Sequence, residues 1–392
     1  MAVTVRSFVP AKDARAVADI LTLSFGKWSP RGHLPGLLRL PKSEWRDHRV
    51  VVDDGKVVAF LRVVPRDIYV GRALLRVGGI GGVCTDPSAR KKGYASTLMN
   101  DATEFMRRDG YDFALLYGIP NFYHKFGYEV VMSRYFLTIP QSDIPDPTAP
   151  TARASVTKKD LPALLRLYNA QARFRDGNVL RKKMWLRKNS FKITGPRGRI
   201  DAYATWSSQD GSLIVLDAAA RDAEAGRVLL SAVKRVAWTH GIDHVNVRFP
   251  FGYPLTDAVR PLNCTLTRVN TFRKGCMGRV LNLETLARRM RPEWHRLISL
   301  SEVLNQSGGL AVQIGDEVLT ISFSKGRVTT SVGRGRASSK MPQEKFSQLL
   351  FGYAPAAEVA RADGVRILPR DLRLFEILFP ERTSFLFPTD EF

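Results

Sequence analysis

The chain has 392 residues, 44% of them hydrophobic and 25% charged, an ordinary globular composition at a length beyond what one hydrophobic core supports, so two or three domains are expected. Its 60 Lys and Arg residues against 37 Asp and Glu give a net charge of +23, an attraction for anions at long range, but the basic residues are dispersed and no nucleic-acid recognition motif accompanies them. No leading apolar segment or ~20-residue apolar run marks a signal or a membrane span, and Cys84, Cys264, Cys276 and the scattered histidines lack zinc or disulfide spacing, so a cytoplasmic protein without a metal is expected.

The first stretch, to about residue 139, opens with a short strand from Val3 to Phe8 and a helix in which Val17, Ile20, Leu21 and Phe25 recur at helical spacing behind Asp13. From Arg49 to Thr85 an antiparallel meander is predicted: Val50 to Val52, a turn at Asp53-Asp54-Gly55, Val57 to Val64, Asp67 to Val70 and Leu74 to Thr85. Gly78, Gly79, Gly81 and Gly82 fall inside the last of these strands, where they predict a bulge or the close approach of a ligand. Tyr94 to Arg108 lacks internal Gly and Pro, sets Leu98, Ala102, Phe105 and Met106 on one stripe, and stops at Asp109-Gly110, the pattern of a helix. With a buried strand at Phe113 to Tyr117, this predicts a strand, loop, helix, strand unit with parallel strands.

Prolines 140, 145, 147 and 150 favour an extended linker and a domain boundary. Beyond it the pattern partly repeats: a helix at Asp160 to Gln171, strands near Ile200 to Trp206 and Leu213 to Ala218, a helix from Arg221 to His240, and a strand at His244 to Phe249. From about Leu281 come a helix (Leu283 to Met290), alternating strands (Leu310 to Ile314, Val318 to Phe323, Arg327 to Val332) and a helix near Gln343 to Leu350, a small α+β domain. The expected boundaries are 1–145, 150–280 and 281–392.

The segment Gly81 to Ser96 runs from a strand through a loop into the helix that starts near Tyr94. A helix start leaves backbone N–H groups unpaired and carries partial positive charge, so it can bind a pyrophosphate. Gly93 permits close approach, Arg90, Lys91 and Lys92 add formal charge, and the small Ala95 keeps the first turn open. Arg90-x-x-Gly93-x-Ala95 resembles the R/Q-x-x-G-x-G/A loop of the GNAT acetyltransferase superfamily. The resemblance implies acetyl-CoA as cosubstrate, held by Arg90, Lys91, Lys92, Gly93, Tyr94, Ala95 and Ser96, with the pantetheine arm along Val83, Cys84 and Thr85, one of whose N–H groups polarises the thioester carbonyl. The corresponding turn of the second repeat, Ala219 to Gly226, carries Asp222 and Glu224 where an anion needs donors, so that copy is expected not to bind CoA.

After Tyr117 the chain reads Gly118-Ile119-Pro120-Asn121-Phe122-Tyr123-His124-Lys125-Phe126-Gly127-Tyr128. This is similar to the aromatic segment in which GNAT enzymes place a tyrosine that protonates the departing thiolate, and Tyr123 matches that tyrosine. A phenol with pKa near 10 can supply the proton without being ionised at neutral pH. Phe126 and Tyr128 read as core aromatics, and His124 as facing away.

The arrangement of two GNAT-like domains, the second without CoA, and a C-terminal sterol-carrier-protein-like (SCP2-like) α+β domain resembles the enhanced-intracellular-survival (Eis) family of aminoglycoside and lysine acetyltransferases. That resemblance implies a hexamer, a primary-amine acceptor of aminoglycoside, lysine or polyamine type, and a terminal α-carboxylate, here of Phe392, folded back as general base. An α-carboxyl group has a low intrinsic pKa, and an aromatic last residue could anchor it by packing. Gly118 stands where family members have a cofactor-contacting serine, so that contact would fall to the backbone of Gly118 and Ile119 or to Asn121; Phe25 and Trp28 match aromatic acceptor-site positions. Two other classes stay open: a hydrophobic-ligand carrier with a vestigial GNAT domain, and an acetyltransferase associated with RNA or the ribosome.

Overall fold

The computed structural model describes residues 3–26, 30–119, 121–146, 153–270 and 275–392. The first stretch contains β1 (Thr4–Ser7), α1 (Pro10–Phe25), α2 (Pro30–Leu38), β2 (His48–Asp53), β3 (Lys56–Val70), β4 (Ala73–Thr85), α3 (Tyr94–Arg108), β5 (Phe113–Tyr117) and β6 (Glu129–Met132). The second contains β7 (Arg134–Pro140), β8 (Arg153–Ser155), α4 (Leu161–Ala172), β9 (Ser190–Thr194), β10 (Ile200–Gln209), β11 (Ser212–Ala220), α5 (Ala223–Thr239), β12 (His244–Val247), α6 (Pro254–Val259) and β13 (Thr265–Val269). Then follow β14 (Cys276–Val280), α7 (Leu283–Ser299), β15 (Ser307–Ile314), β16 (Glu317–Ser324), β17 (Arg327–Arg334), β18 (Ser339–Met341), α8 (Gln343–Leu350), α9 (Ala356–Val359) and α10 (Pro369–Leu378). The α/β and α+β architecture read from the sequence is present as three sheets.

The first sheet has the order β1-β2-β3-β4-β5-β14-β6 and the second β13-β7-β12-β11-β10-β9-β8. The two α/β units therefore exchange strands. β14 lies before the expected boundary at 280 yet inserts antiparallel between β5 and β6 of the first sheet, while β7, placed by sequence before residue 145, pairs with β12 and β13 of the second. The boundaries 1–145 and 150–280 thus do not coincide with the sheets. The third sheet, β17-β16-β15-β18, packs with α7, α8 and α10.

Two elements run through prolines and past the ends expected from sequence, Val64 for the strand and Met290 for the helix. β3 continues across Pro65 because β2 pairs only with its first half, up to Arg62. Further on, Tyr69 N–H faces outward and bonds Asn178; Pro65 shares that parity, so its missing donor costs no ladder bond. α7 continues across Pro292 to Ser299 because Glu293, Trp294 and Ile298 prolong the buried stripe begun by Leu283, Leu286 and Met290, while Pro292 is on the exposed side.

In the first sheet α3 covers one face, where Leu98, Met99, Ala102 and Met106 pack on Leu61, Val63 and Ile80. On the other face α1 packs Val17, Ile20 and Leu21 against Val50 and Phe60, and α7 packs Met290 and Trp294 beside Leu75, Val77 and Leu115. Between these two coverings the sheet face is closed by the last residues of the chain. Among the described residues no helix is long and apolar enough to cross a membrane.

Candidate active site

β4 and β5 pair in parallel from Val77↔Phe113 to Ile80↔Leu116 and then diverge. Past that point the register of β4 on β3 shifts, so that Gly82 and Val83 have no ladder partner, and Gly82 takes φ +64°. Glycine is favoured there, since the left-handed region penalises a Cβ. The expected bulge is thus present, and a cavity of about 630 Å³ opens where the strands part.

Of the predicted cofactor residues, Val83, Cys84, Thr85, Arg90, Lys91, Gly93, Tyr94, Ala95, Ser96 and Ile119 line this cavity. The structure does not bring Lys92, Gly118 or Asn121 into its lining: Lys92 is exposed, and Asn121 is exposed at φ +59°. Gly118 is packed instead; a Cβ there would stand 2.4 Å from Met277 Sδ and 2.9 Å from Tyr123 Cδ2. A serine there would require Met277 and Tyr123 to shift. Cys84 turns its thiol to the Phe60 carbonyl (3.8 Å), and burial pushes its pKa up to about 12, so its side chain belongs to the core and only its backbone faces the opening.

α3 begins after Gly93 (φ +84°) with no side-chain cap, and a Cβ on Gly93 would meet nothing within 4 Å. The first-turn N–H groups therefore face open space flanked by Arg90 and Lys91. One cation was not anticipated: Lys125 Nζ donates to Ser96 Oγ at 3.3 Å and lies 4.3 Å from the Phe122 ring centre, which brings a further positive charge to the same helix start. By contrast, Asp222 caps α5 by accepting from Ala225 N–H at 2.9 Å. A carboxylate already occupies the equivalent donors there.

Tyr123 is 8% exposed, lines the cavity, and packs edge-on against Phe122 at 4.9 Å. Burial raises its pKa to about 12. His124 faces Glu129, 3.7 Å away, and is not part of the lining. Ser24 Oγ, at the cavity wall, is buried with no hydrogen-bond partner among the described residues. Uncapped donors, surrounding cations and an orphaned hydroxyl fit a polyanionic nucleotide thioester such as acetyl-CoA. Among the described residues no group of three or more His, Cys, Asp or Glu is placed to hold a metal.

The tail reaches this cavity by way of the second unit. Phe385 and Phe387 are buried among Tyr135, Tyr168, Phe249 and Tyr253. β11 and β12 also part after Val215↔Val247, and the tail fills that gap: Thr389 Oγ1 donates to Asp217 at 3.1 Å and Asp390 accepts from Arg181 Nε at 2.8 Å. Arg181 also holds Asp217 at 2.7 Å and stacks over Tyr168. Glu391 lies 3.5 Å from Arg134, and burial raises its pKa. The Phe392 ring then sits 6.0 Å from Tyr117 and covers Gly79, where a Cβ would be 2.0 Å from its Cδ1. A Cβ on Gly81 would be 2.7 Å from the Phe392 carboxyl carbon. Gly79 and Gly81 thus leave room for Phe392.

Phe392 also borders a second cavity of about 760 Å³ between α1, α2 and the sheet, lined in part by Leu21, Phe25, His33, Leu37, His48, Phe60 and Arg62. Phe25, Gly82 and Phe392 belong to both cavities. Trp28, the other predicted acceptor-site aromatic, lies outside the described residues.

Residues 7–131 match the family of acetyltransferase (GNAT) domains. Over the whole chain the fold is similar to a GCN5-related N-acetyltransferase from Anabaena variabilis (TM-score 0.77, 17% identity, 98% of this chain and 99% of that one). It is also similar to one from Kribbella flavida (0.72, 18%, 98% and 99%) and to Eis1 from Mycobacterium abscessus (0.68, 15%, 98% and 99%). No curated protein matches the sequence. The match to the GNAT acetyltransferase domain covers the first third of the chain, and the full-length fold is similar to those of GCN5-related N-acetyltransferases.

Proposed function

We propose that the protein transfers an acetyl group from acetyl-CoA to a primary amine by direct attack, with Tyr123 as general acid and the Phe392 α-carboxylate as general base. The observation that carries this reading is that the two cavities meet at Phe392, with Tyr123 in the wall of the first. Acetyl-CoA would supply an acyl thioester whose carbonyl carbon takes the amine lone pair as the carbon–sulfur bond breaks. The α3 start, Arg90, Lys91 and Lys125 hold the phosphates, and the unladdered backbone at Gly82 and Val83 offers donors to the thioester oxygen. The Phe392 carboxylate takes a proton from the ammonium form of the acceptor, and Tyr123 gives one to the leaving sulfur. With Tyr123 reprotonated from the attacking nitrogen through solvent, one proton is released per amide formed.

The chemistry does not pass through Cys84, because a thiol with pKa about 12 is scarcely ionised at neutral pH. Likeness in fold to Eis1 extends the proposal to the enhanced-intracellular-survival family, with α7 to α10 and β15 to β18 as its sterol-carrier-like domain, a hexameric assembly and a cytoplasmic setting. The test is deletion of Phe392: thiol release in the presence of amines should fall by about 100-fold or more, while stabilisation of the fold by acetyl-CoA persists. Undiminished turnover after the deletion would remove the terminal base from the mechanism.

A further inference from the structure

The second cavity indicates what the acceptor is, given the acetyl-transfer reading above. Leu21, Phe25, Leu37 and Phe60 line it together with His33, His48 and Arg62, and no Asp or Glu is among the described residues that line it. The two acids that precede Phe392 are engaged elsewhere, Asp390 with Arg181 and Glu391 with Arg134. Burial lowers the pKa of His48, whose Nδ1 lies 3.0 Å from the Glu44 carbonyl, so that ring is uncharged at neutral pH. Among the described residues, negative charge in the cavity is thereby confined to the Phe392 carboxylate.

Opposite that carboxylate stands Arg62. The point where a Cβ on Gly81 would lie is 2.7 Å from the Phe392 carboxyl carbon and 3.3 Å from Arg62 Nε, so base and guanidinium flank one spot. Arg62 is exposed, opens into the cavity and makes no ion pair or hydrogen bond with any described residue. A guanidinium that faces a cavity without a paired anion can bind a carboxylate through two parallel N–H donors.

We propose that the acceptor is a zwitterion, an α-amino acid with an apolar side chain, whose amine meets the Phe392 carboxylate, whose carboxylate meets Arg62, and whose side chain fills the cavity. A polycation fits poorly, because beyond the first ammonium group it would meet Arg62 and apolar carbon rather than acids.

Thiol release from acetyl-CoA, measured on the full chain with matched acceptors, tests this: L-phenylalanine against phenethylamine, L-leucine against isoamylamine, and spermidine as polycation. The amino acids should exceed their decarboxylated partners in kcat/KM by about tenfold or more, the worth of a charged hydrogen-bond pair. In Arg62→Gln that ratio should fall towards one, a readout independent of the variant's overall activity. Equal or better turnover of the decarboxylated amines by the wild-type chain, or preference for spermidine, would overturn the assignment while leaving acetyl transfer standing. No thiol release with any amine would instead remove the transfer reading itself, and this assignment with it.

Discussion

In the proposed mechanism Tyr123 must carry a proton, and its raised pKa keeps that proton in place. Burial raises it to about 12, so the phenol is the protonated form throughout the neutral and moderately alkaline range. Since the acid must be protonated to act, raising the pH should not remove it until that value is approached. We therefore expect kcat, followed by thiol release from pH 6 to 10.5, to show no descending alkaline limb, and Tyr123→Phe to lower kcat by about 100-fold at every pH. A limb near pH 8 to 9 in the wild type that vanishes in the variant would contradict the assigned state. The place of Tyr123 in the cavity wall was legible because it stands in a motif. Arg62 was not, since in sequence it is one more basic residue on a strand; only the register Arg62↔Gly81 places it against the terminus. Lys125 belongs to the quoted motif, yet its reach to Ser96 depends on how that segment crosses α3.

At the scale of elements, the two helix starts differ in whether their N–H donors are open to an anion. α3 begins with a bare left-handed glycine and cations nearby, whereas α5 begins with a carboxylate cap and Glu224 in its first turn. Lys91→Glu, which places an acid among the first-turn donors of α3, should raise KM for acetyl-CoA several-fold with kcat little changed, and added salt should narrow the gap between variant and wild type. A drop in kcat at unchanged KM would show that Lys91 acts on the reacting groups rather than on the phosphates. This contrast could be read from the sequence because helix capping is local. The same locality explains what was missed. The exchange of β7 and β14 between sheets depends on pairings such as Met277↔Leu116, more than 150 residues apart, and no periodicity encodes them. The passage of β3 through Pro65 and of α7 through Pro292 likewise depends on which edge or face each proline meets.

In the whole molecule, the last residues tie the three sheets into one functional unit. Arg382, anchored on Glu293 and Asp176, starts the tail at the third domain; Phe385, Phe387 and Asp390 occupy the gap in the second unit, and Phe392 closes the first. Arg181 is the central fastening, since it binds both Asp217 and Asp390 while 6% exposed in its side chain. Replacing it with Met leaves two buried carboxylates facing each other, a change of the kind that costs about 3–5 kcal/mol. If the fastening serves catalysis only by delivering the Phe392 carboxylate, Arg181→Met should lose as much turnover as deletion of Phe392, and the double variant should be no worse than either alone. The singles and the double are to be compared by thiol release, with urea midpoints measured in parallel. Additive losses would mean that Arg181 supports the site by another route, through the general stability of the second unit, because changes to one shared device do not add whereas independent ones do.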